Sequence, residues 1–204
     1  MQRTEVAVAP IPDLRARRRR QTELEIHTAA ITLAAERGAD RVTVDDIAAL
    51  AGVSARTFFR YFPTRDRALV YDRWGFDDAV DALFARHDPR EVRMRDVETV
   101  YEHGLARIKA DPDPDAATTI YRTLSASTQL MAAATAAANE RTAALLDTIP
   151  AAERIRVRLL LGVARTVLFT AFAEWVESGS PTASSDSSPL LEVYRRLCRE
   201  VRSL

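Results

Sequence analysis

Thr43-Val44-Asp45-Asp46-Ile47-Ala48-Ala49-Leu50-Ala51-Gly52-Val53-Ser54-Ala55-Arg56-Thr57-Phe58-Phe59-Arg60-Tyr61-Phe62-Pro63-Thr64-Arg65-Asp66 is the run on which the fold turns. Thr43 stands before an apolar stripe (Val44, Ile47, Ala48, Ala51), with Asp46 three residues on, a shorter relative of the capping box. Gly52 supplies a turn, and Ser54 can cap a further helix, Ala55 to Phe62, that Pro63 and Thr64 break. Upstream, Ile26, Ala29, Ala30, Leu33 and Ala34 recur at the spacing of a core-facing helix, and Gly38 stands just past its end. A longer helix, then a short helix, a glycine turn and a second short helix is the three-helix arrangement of a helix-turn-helix domain. Its small residues Ala48, Ala51 and Gly52 let the first two helices pack closely, so that the third can project into a major groove about 12 Å wide. By itself this pattern is shared with small helical bundles of other function.

Residues 43–66, together with Ala29-Ala30, Leu33 and Glu36-Arg37-Gly38 before them, closely resemble the signature of the TetR family of regulators, over about residues 22 to 70. The resemblance implies a DNA-binding transcriptional regulator whose C-terminal helices bind a ligand and dimerise. On the helical wheel Phe58 and Phe62 point into the three-helix core with Val53, and Ala55, Arg56, Phe59 and Arg60 lie on the flank open to base edges. Arg56 is the expected reader of a guanine, through a bidentate contact to O6 and N7 worth roughly 1–3 kcal/mol of discrimination. Phe59 stands where the family usually has tyrosine, which leaves apolar contact with a thymine methyl or a sugar. The resemblance assigns Thr43, Thr57, Tyr61 and Arg65 to phosphate, each able to donate a hydrogen bond, and Ser54 completes the DNA-facing set. The plain alternatives are solvated charges for Arg56 and Arg60 and a core position for Phe59 beside Phe62. Asp45 and Asp46 read as partners of the helix dipole.

The rest of the chain reads as helix with no alternating strand pattern, which predicts an all-α protein of about nine or ten helices. The fourth helix is expected to run from Thr64 to about Arg86, the next from Val92 to Ala110, stopped by Asp111-Pro112-Asp113-Pro114. Residues 115–147, rich in alanine and threonine, read as one helix or two. Pro150 precedes a helix from Ala152 to Glu177, the serine-rich stretch 178–189 reads as a mobile loop, and a last helix spans Leu190 to about Arg202. The division expected is an arginine-rich, disordered arm over residues 1–20, a helix-turn-helix domain over 21–66, and a ligand-binding and dimerisation domain over 67–204. Residues 1–65 carry eleven arginines against eight acids, so a net charge of zero hides a positive N-terminal end. The arm is either a plain tail or a segment that orders on DNA, where arginine favours narrow minor grooves.

For the ligand, expected to be largely hydrophobic, Tyr101, Tyr121, Met131, Arg165, Phe169, Phe172 and Trp175 are the candidate contacts, since pockets join apolar walls to a few polar anchors. Arg165, a charge amid Leu159 to Val176, must pair or reach water. It reads either as an anchor for an anionic group or as half of an ordinary ion pair. The surplus apolar surface of residues 152–177, with that of 190–202, suits a two-fold four-helix interface as in the family, and such symmetry matches a palindromic operator. A central arginine in a lone membrane span costs roughly 2.5–3.5 kcal/mol, so a helix packed in protein is the expectation and no membrane partner is. One cysteine, Cys198, and an N-terminus without a secretory pattern fit the cytoplasm. Three histidines without metal-ligand spacing, and the lack of a glycine-rich phosphate loop, leave no motif for an enzyme, a metal or a cofactor. The expected function is a repressor released from its operator by a small molecule; the alternatives are an activator of the same family and a helical interaction module without DNA affinity.

Overall fold

A computed structural model describes residues 14–179 and 188–203; residues 1–13 of the arm and residues 180–187 of the serine-rich stretch lie outside the described residues. Among the described residues there are ten α-helices and no strand. The chain is all-α, an N-terminal helix-turn-helix joined to a larger helical part. α1 spans Leu14–Arg37, α2 Val44–Leu50 and α3 Ala55–Tyr61. The local signals act as their chemistry demands. Thr43 and Asp46 form a capping box on α2, Ser54 accepts from the Thr57 N–H at 3.1 Å, and Gly52 takes φ +67° in the turn. The arginine run differs from the expected disordered arm: Arg15 to Arg20 are helical, the first turns of α1. Arginine and alanine are good helix formers, so the helix propagates outward from its packed end.

The expected fourth helix is two. α4, Arg65–Leu69, starts on a Thr64 cap, and α5 covers Phe76–Arg86. Between them Gly75 adopts φ +69°, and the Asp72 carboxylate accepts from the Asp77 N–H at 2.8 Å, restarting the helix on a new axis. α6 is Met94–Lys109. Residues 115–147 divide into α7, Ala116–Ser125, and α8, Thr128–Asp147, where Ser127 caps α8. α9 is Arg154–Glu177 and α10 Pro189–Ser203.

Two apolar clusters hold these helices. The first joins Ile26, Ala30, Leu33, Ile47, Phe58, Phe62 and Leu69, and Leu130 of α8 inserts into it. Ala68 and Leu69 belong to this cluster, so α4 packs with the N-terminal helices, beyond the expected boundary at 66. His27 is buried there. Its Nδ1 lies 2.8 Å from the Ala68 carbonyl, which can only accept, so the proton sits on Nδ1. Burial pushes the ring down to about 4, keeping it neutral. The second cluster gathers α5, α6, α8, α9 and α10 around Phe84, Val97, Tyr101, Leu161, Trp175 and Tyr194. At its edge the Phe76 ring lies on Gly104, where a Cβ would come within 2.2 Å of it.

A polar joint connects the two clusters. Arg73 forms a bidentate pair with Asp111 at 2.8 Å and donates to Thr28 on α1 at 2.9 Å. Trp74 donates to the same carboxylate at 3.0 Å, and Arg107 of α6 donates to the Trp74 carbonyl at 2.7 Å. The Arg73 hydrogen bonds hold the Asp111 carboxyl below its ordinary range.

Candidate nucleic-acid interface

α3 buries Phe58 and leaves its opposite side to solvent: Arg56 and Arg60 are exposed, and Phe59 is 56% exposed. Phe59 therefore stands outside the core, its ring edge-on to Phe58 at 5.5 Å. Ala55 and Thr57 flank this face, half-buried, and Ser54 caps the helix, giving its hydroxyl proton to Thr57 Oγ1 at 3.0 Å. Arg56 has no ion-pair partner among the described residues, whereas Arg60 lies 5.0 Å over the Tyr61 ring and donates to its hydroxyl.

Two expected phosphate contacts are otherwise engaged. Arg65 donates to Asp66 at 2.9 Å, and through Nη1 to the carbonyls of Ala39 and Val42 at 3.1 and 3.2 Å. It is a strut between α4 and the turn before α2, because the Ala39 carbonyl otherwise accepts only the Val42 N–H at 3.4 Å and Nη1 lies between both carbonyls. Thr43 gives its hydroxyl proton to Asp46 at 2.6 Å while accepting the Asp46 N–H, so its capacity to donate is used inside the capping box.

The ligand candidates do not form one site. Tyr101 is buried between Phe76 and Tyr194. Tyr121 faces Phe172 at 6.2 Å, Phe172 meets Trp175 at 6.4 Å, and Met131 is half-buried on α8. Phe169 lies on the outer side of α9, 41% exposed, turned from that aromatic group because α9 is apolar on nearly all faces and only packing selects the inner one. Arg165 donates to Thr142 Oγ1 at 2.6 Å and to the Ala138 carbonyl at 3.4 Å, both uncharged, and has no ion pair among the described residues. Within its electrostatic reach is Asp77, missed in the sequence because it falls in the middle of the single helix expected from Thr64 to about Arg86, where an acid reads as a solvated side chain. Burial, then Asp72, push Asp77 up to about 6, while Arg141 and Arg165 pull it back. A cleft of about 570 Å³ between the two clusters is lined by Arg20, Tyr71, Asp72, Asp77 and Arg141, none of them an expected ligand contact.

The outer face of α9 carries Ile155, 75% exposed, and Leu159, 64% exposed, with Val163 and Phe169 continuing the row. α9 is long and apolar enough to cross a membrane by length and composition alone. On α10, Leu190, Tyr194 and Cys198 are buried, and Leu191, Val193, Leu197 and Val201, half-buried, pack against the same core.

Residues 26–70 match the family model described as bacterial regulatory proteins, tetR family. No curated protein matches the chain. Similar solved structures include a TetR-family transcriptional regulator from Mesorhizobium loti, 17% identical over 91% of this chain and 96% of that one, with a TM-score of 0.44. Another is a TetR transcriptional regulator from Rhodococcus sp. RHA1, 22% identical over 93% and 98%, TM-score 0.38. A third is FadR of Thermus thermophilus, a TetR-family repressor in complex with lauroyl-CoA, 23% identical over 88% and 93%, TM-score 0.35. All three superpose loosely, so the likeness to the family rests on residues 26–70.

Proposed function

We propose that this chain, whose residues 26–70 match the tetR family of bacterial regulatory proteins, is a homodimeric repressor that leaves a palindromic operator when a small molecule binds its C-terminal helices. The observation that carries this reading is the outer face of α3, where Arg56, Phe59 and Arg60 stand exposed over a buried Phe58. A helix held by its inner aromatic and free on its outer side suits the major groove. Arg56 reads a base edge and Phe59 an apolar patch, with Ala55 allowing close approach. Ser54, Thr57 and Tyr61 meet the backbone.

A second copy covers the row Ile155, Leu159, Val163 and Phe169, and the two α3 helices then read half-sites about 34–36 Å apart. The ligand lies among α6 to α9. Arg165, hydrogen-bonded to the uncharged Thr142 and Ala138, suits its carboxylate or phosphate, and the aromatic group of Tyr121, Phe172 and Trp175 suits a hydrophobic body. A shift of α6 reaches α1 through Arg107, Asp111 and Arg73, so ligand and DNA oppose each other by a coupling of roughly 1–3 kcal/mol, reciprocal by linkage. The regulator works in the cytoplasm, where its operator is, and carries out no catalysis.

The test is selection of bound sequences from a random duplex library by the full-length chain, followed by titration at several salt concentrations. A two-fold symmetric consensus, bound with a steep log–log salt slope, is expected. Binding without sequence enrichment, or none at all, overturns the reading. Run-off transcription on the selected site distinguishes repression from activation.

A further inference from the structure

About two turns of α1, residues 14–20, extend past the apolar core, and the residues on their inner side differ from those of an ordinary packing helix. α1 buries Ile26, Ala29, Ala30 and Leu33 on one face. Counted back at helical spacing, the same face continues as Glu23, Thr22, Arg19 and Arg15, with Arg18 at its edge, and Arg19 pairs with Glu23 at 2.8 Å. A helix that served only to pack would carry apolar residues there. Instead, the inner face runs beyond the edge of the domain as a row of guanidinium groups. Arg17 falls on the opposite side of the helix.

The row continues the α3 face. The Arg19 guanidinium lies 5.6 Å from the centre of the Tyr61 ring, and that of Arg60 lies 5.0 Å from the same ring. Tyr61 thus bridges the overhang of α1 to the C-terminal end of α3. Hydrogen bonds from Thr22 and then Arg60 hold its phenol below the ordinary range. Arg20 is turned the other way, to the Tyr71 hydroxyl and the Arg73 carbonyl, and serves the joint between the clusters. Arg18 is exposed and has no ion pair among the described residues.

The arrangement also opposes its own helix. The described part of α1 opens without an acid in its first turn, so its cations meet the positive end of the helix dipole. A polyanion laid along the row removes that penalty, and the contiguous α3 face already points to which polyanion that is.

We infer that Arg15, Arg18 and Arg19 form a second site for the DNA backbone, taking phosphates that flank the segment read by α3. The inference rests on the reading of α3 as the DNA-binding helix. Phosphate contacts carry no sequence information, so this site raises affinity and salt dependence and leaves sequence preference alone.

The test uses the full-length chain and a random-sequence duplex, followed by fluorescence anisotropy at several salt concentrations. Arg15→Ala/Arg18→Ala should lower the magnitude of the log K against log salt slope by about 0.9 for each phosphate no longer neutralised, so by up to about 1.8 per protomer. Arg17→Ala, on the opposite side, should leave the slope near that of the wild type. Arg15→Lys/Arg18→Lys should retain it, and thermal melts of all variants should match or exceed the wild type. An equal loss from Arg17→Ala would make the effect one of net charge and overturn the site. So would an unchanged slope in the double variant while Arg56→Ala still weakens binding, which leaves the α3 reading standing. A loss confined to vesicles of anionic lipid, with DNA binding intact, would assign the row to a membrane and overturn the proposal. Absence of salt-dependent DNA binding by the wild-type chain would overturn the α3 reading with it.

Discussion

The two halves of the molecule distribute charge in opposite ways. Around α3, aromatic rings fill the core and the outer face carries Arg56, Arg60 and one stray aromatic, Phe59. Around α9, the outer face carries Ile155, Leu159 and Val163, while Arg165, Asp77 and Glu98 lie inside or half-inside. An exposed charge costs little, so the first pattern folds by itself and waits for a polyanion. An exposed apolar row and an inner charge both carry a cost, and under the proposed function each is relieved by a partner: a second α9 for the row, a ligand group for the charge. On that reading, recognition of DNA is displayed on the surface, whereas assembly and sensing are legible as energetic faults.

The largest effect is expected where the outer row of α9 is broken. Leu159→Asp should give a monomer by light scattering, with operator affinity down about 10²–10⁴-fold as the second half-site loses its effective concentration. A wild-type monomer at micromolar concentration would remove the contrast between the halves altogether. Next comes the charged face: Arg56→Ala should weaken operator binding by roughly 1–3 kcal/mol and blur one position of each half-site, leaving the melting temperature unchanged. An unaltered consensus after that substitution would mean that α3 meets DNA through another side.

The joint between the halves can be tested by stability and by coupling together. Asp111→Ala removes the bidentate partner of Arg73 and the acceptor of Trp74, and should destabilise the chain by about 1–3 kcal/mol. Calorimetry with and without operator should then show ligand affinity less sensitive to DNA than in the wild type. Undiminished coupling would place the connection elsewhere.

The smallest effect contrasts the two buried titratable groups. Asp77, pushed up to about 6 from 3.8, holds its proton more tightly folded than unfolded, so it penalises the folded state as pH rises from about 4 to 6. Asp77→Asn should raise the melting temperature at pH 7 by about 2–4 °C and change nothing at pH 4. His27 has the opposite sign. Its ring is held neutral, so its stabilisation is complete above 6.5 and is lost as pH falls towards about 4. Because the two contributions oppose each other over this range, Asp77→Asn separates them: its melting temperature should fall as pH drops from about 6.5 to 4, and a flat profile for that variant would mean that His27 is less buried than its surroundings imply.

How far the sequence could be read depended on whether a signal was local. The second and third helices, their turn and their inner aromatics followed from Thr43, Gly52, Ser54, Phe58 and Phe62 alone, because caps, left-handed glycine and helical spacing act within a few residues. The exposure of Arg56 and Phe59 was legible for the same reason. Other features were set by residues distant in sequence. The split between α4 and α5 follows from Gly75 and from Asp72 turning back on Asp77, and the helix-compatible residues around them show little sign of either. Arg65 became a strut because the Ala39 and Val42 carbonyls come within its reach, and Phe169 an outer residue because an all-apolar α9 has no preferred face until its neighbours choose one. The reading domain was therefore specified by the order of its residues, whose contacts span one or two turns. Packing at long range decided which charges point inward and which apolar face remains open, since burial is a property of the packed whole.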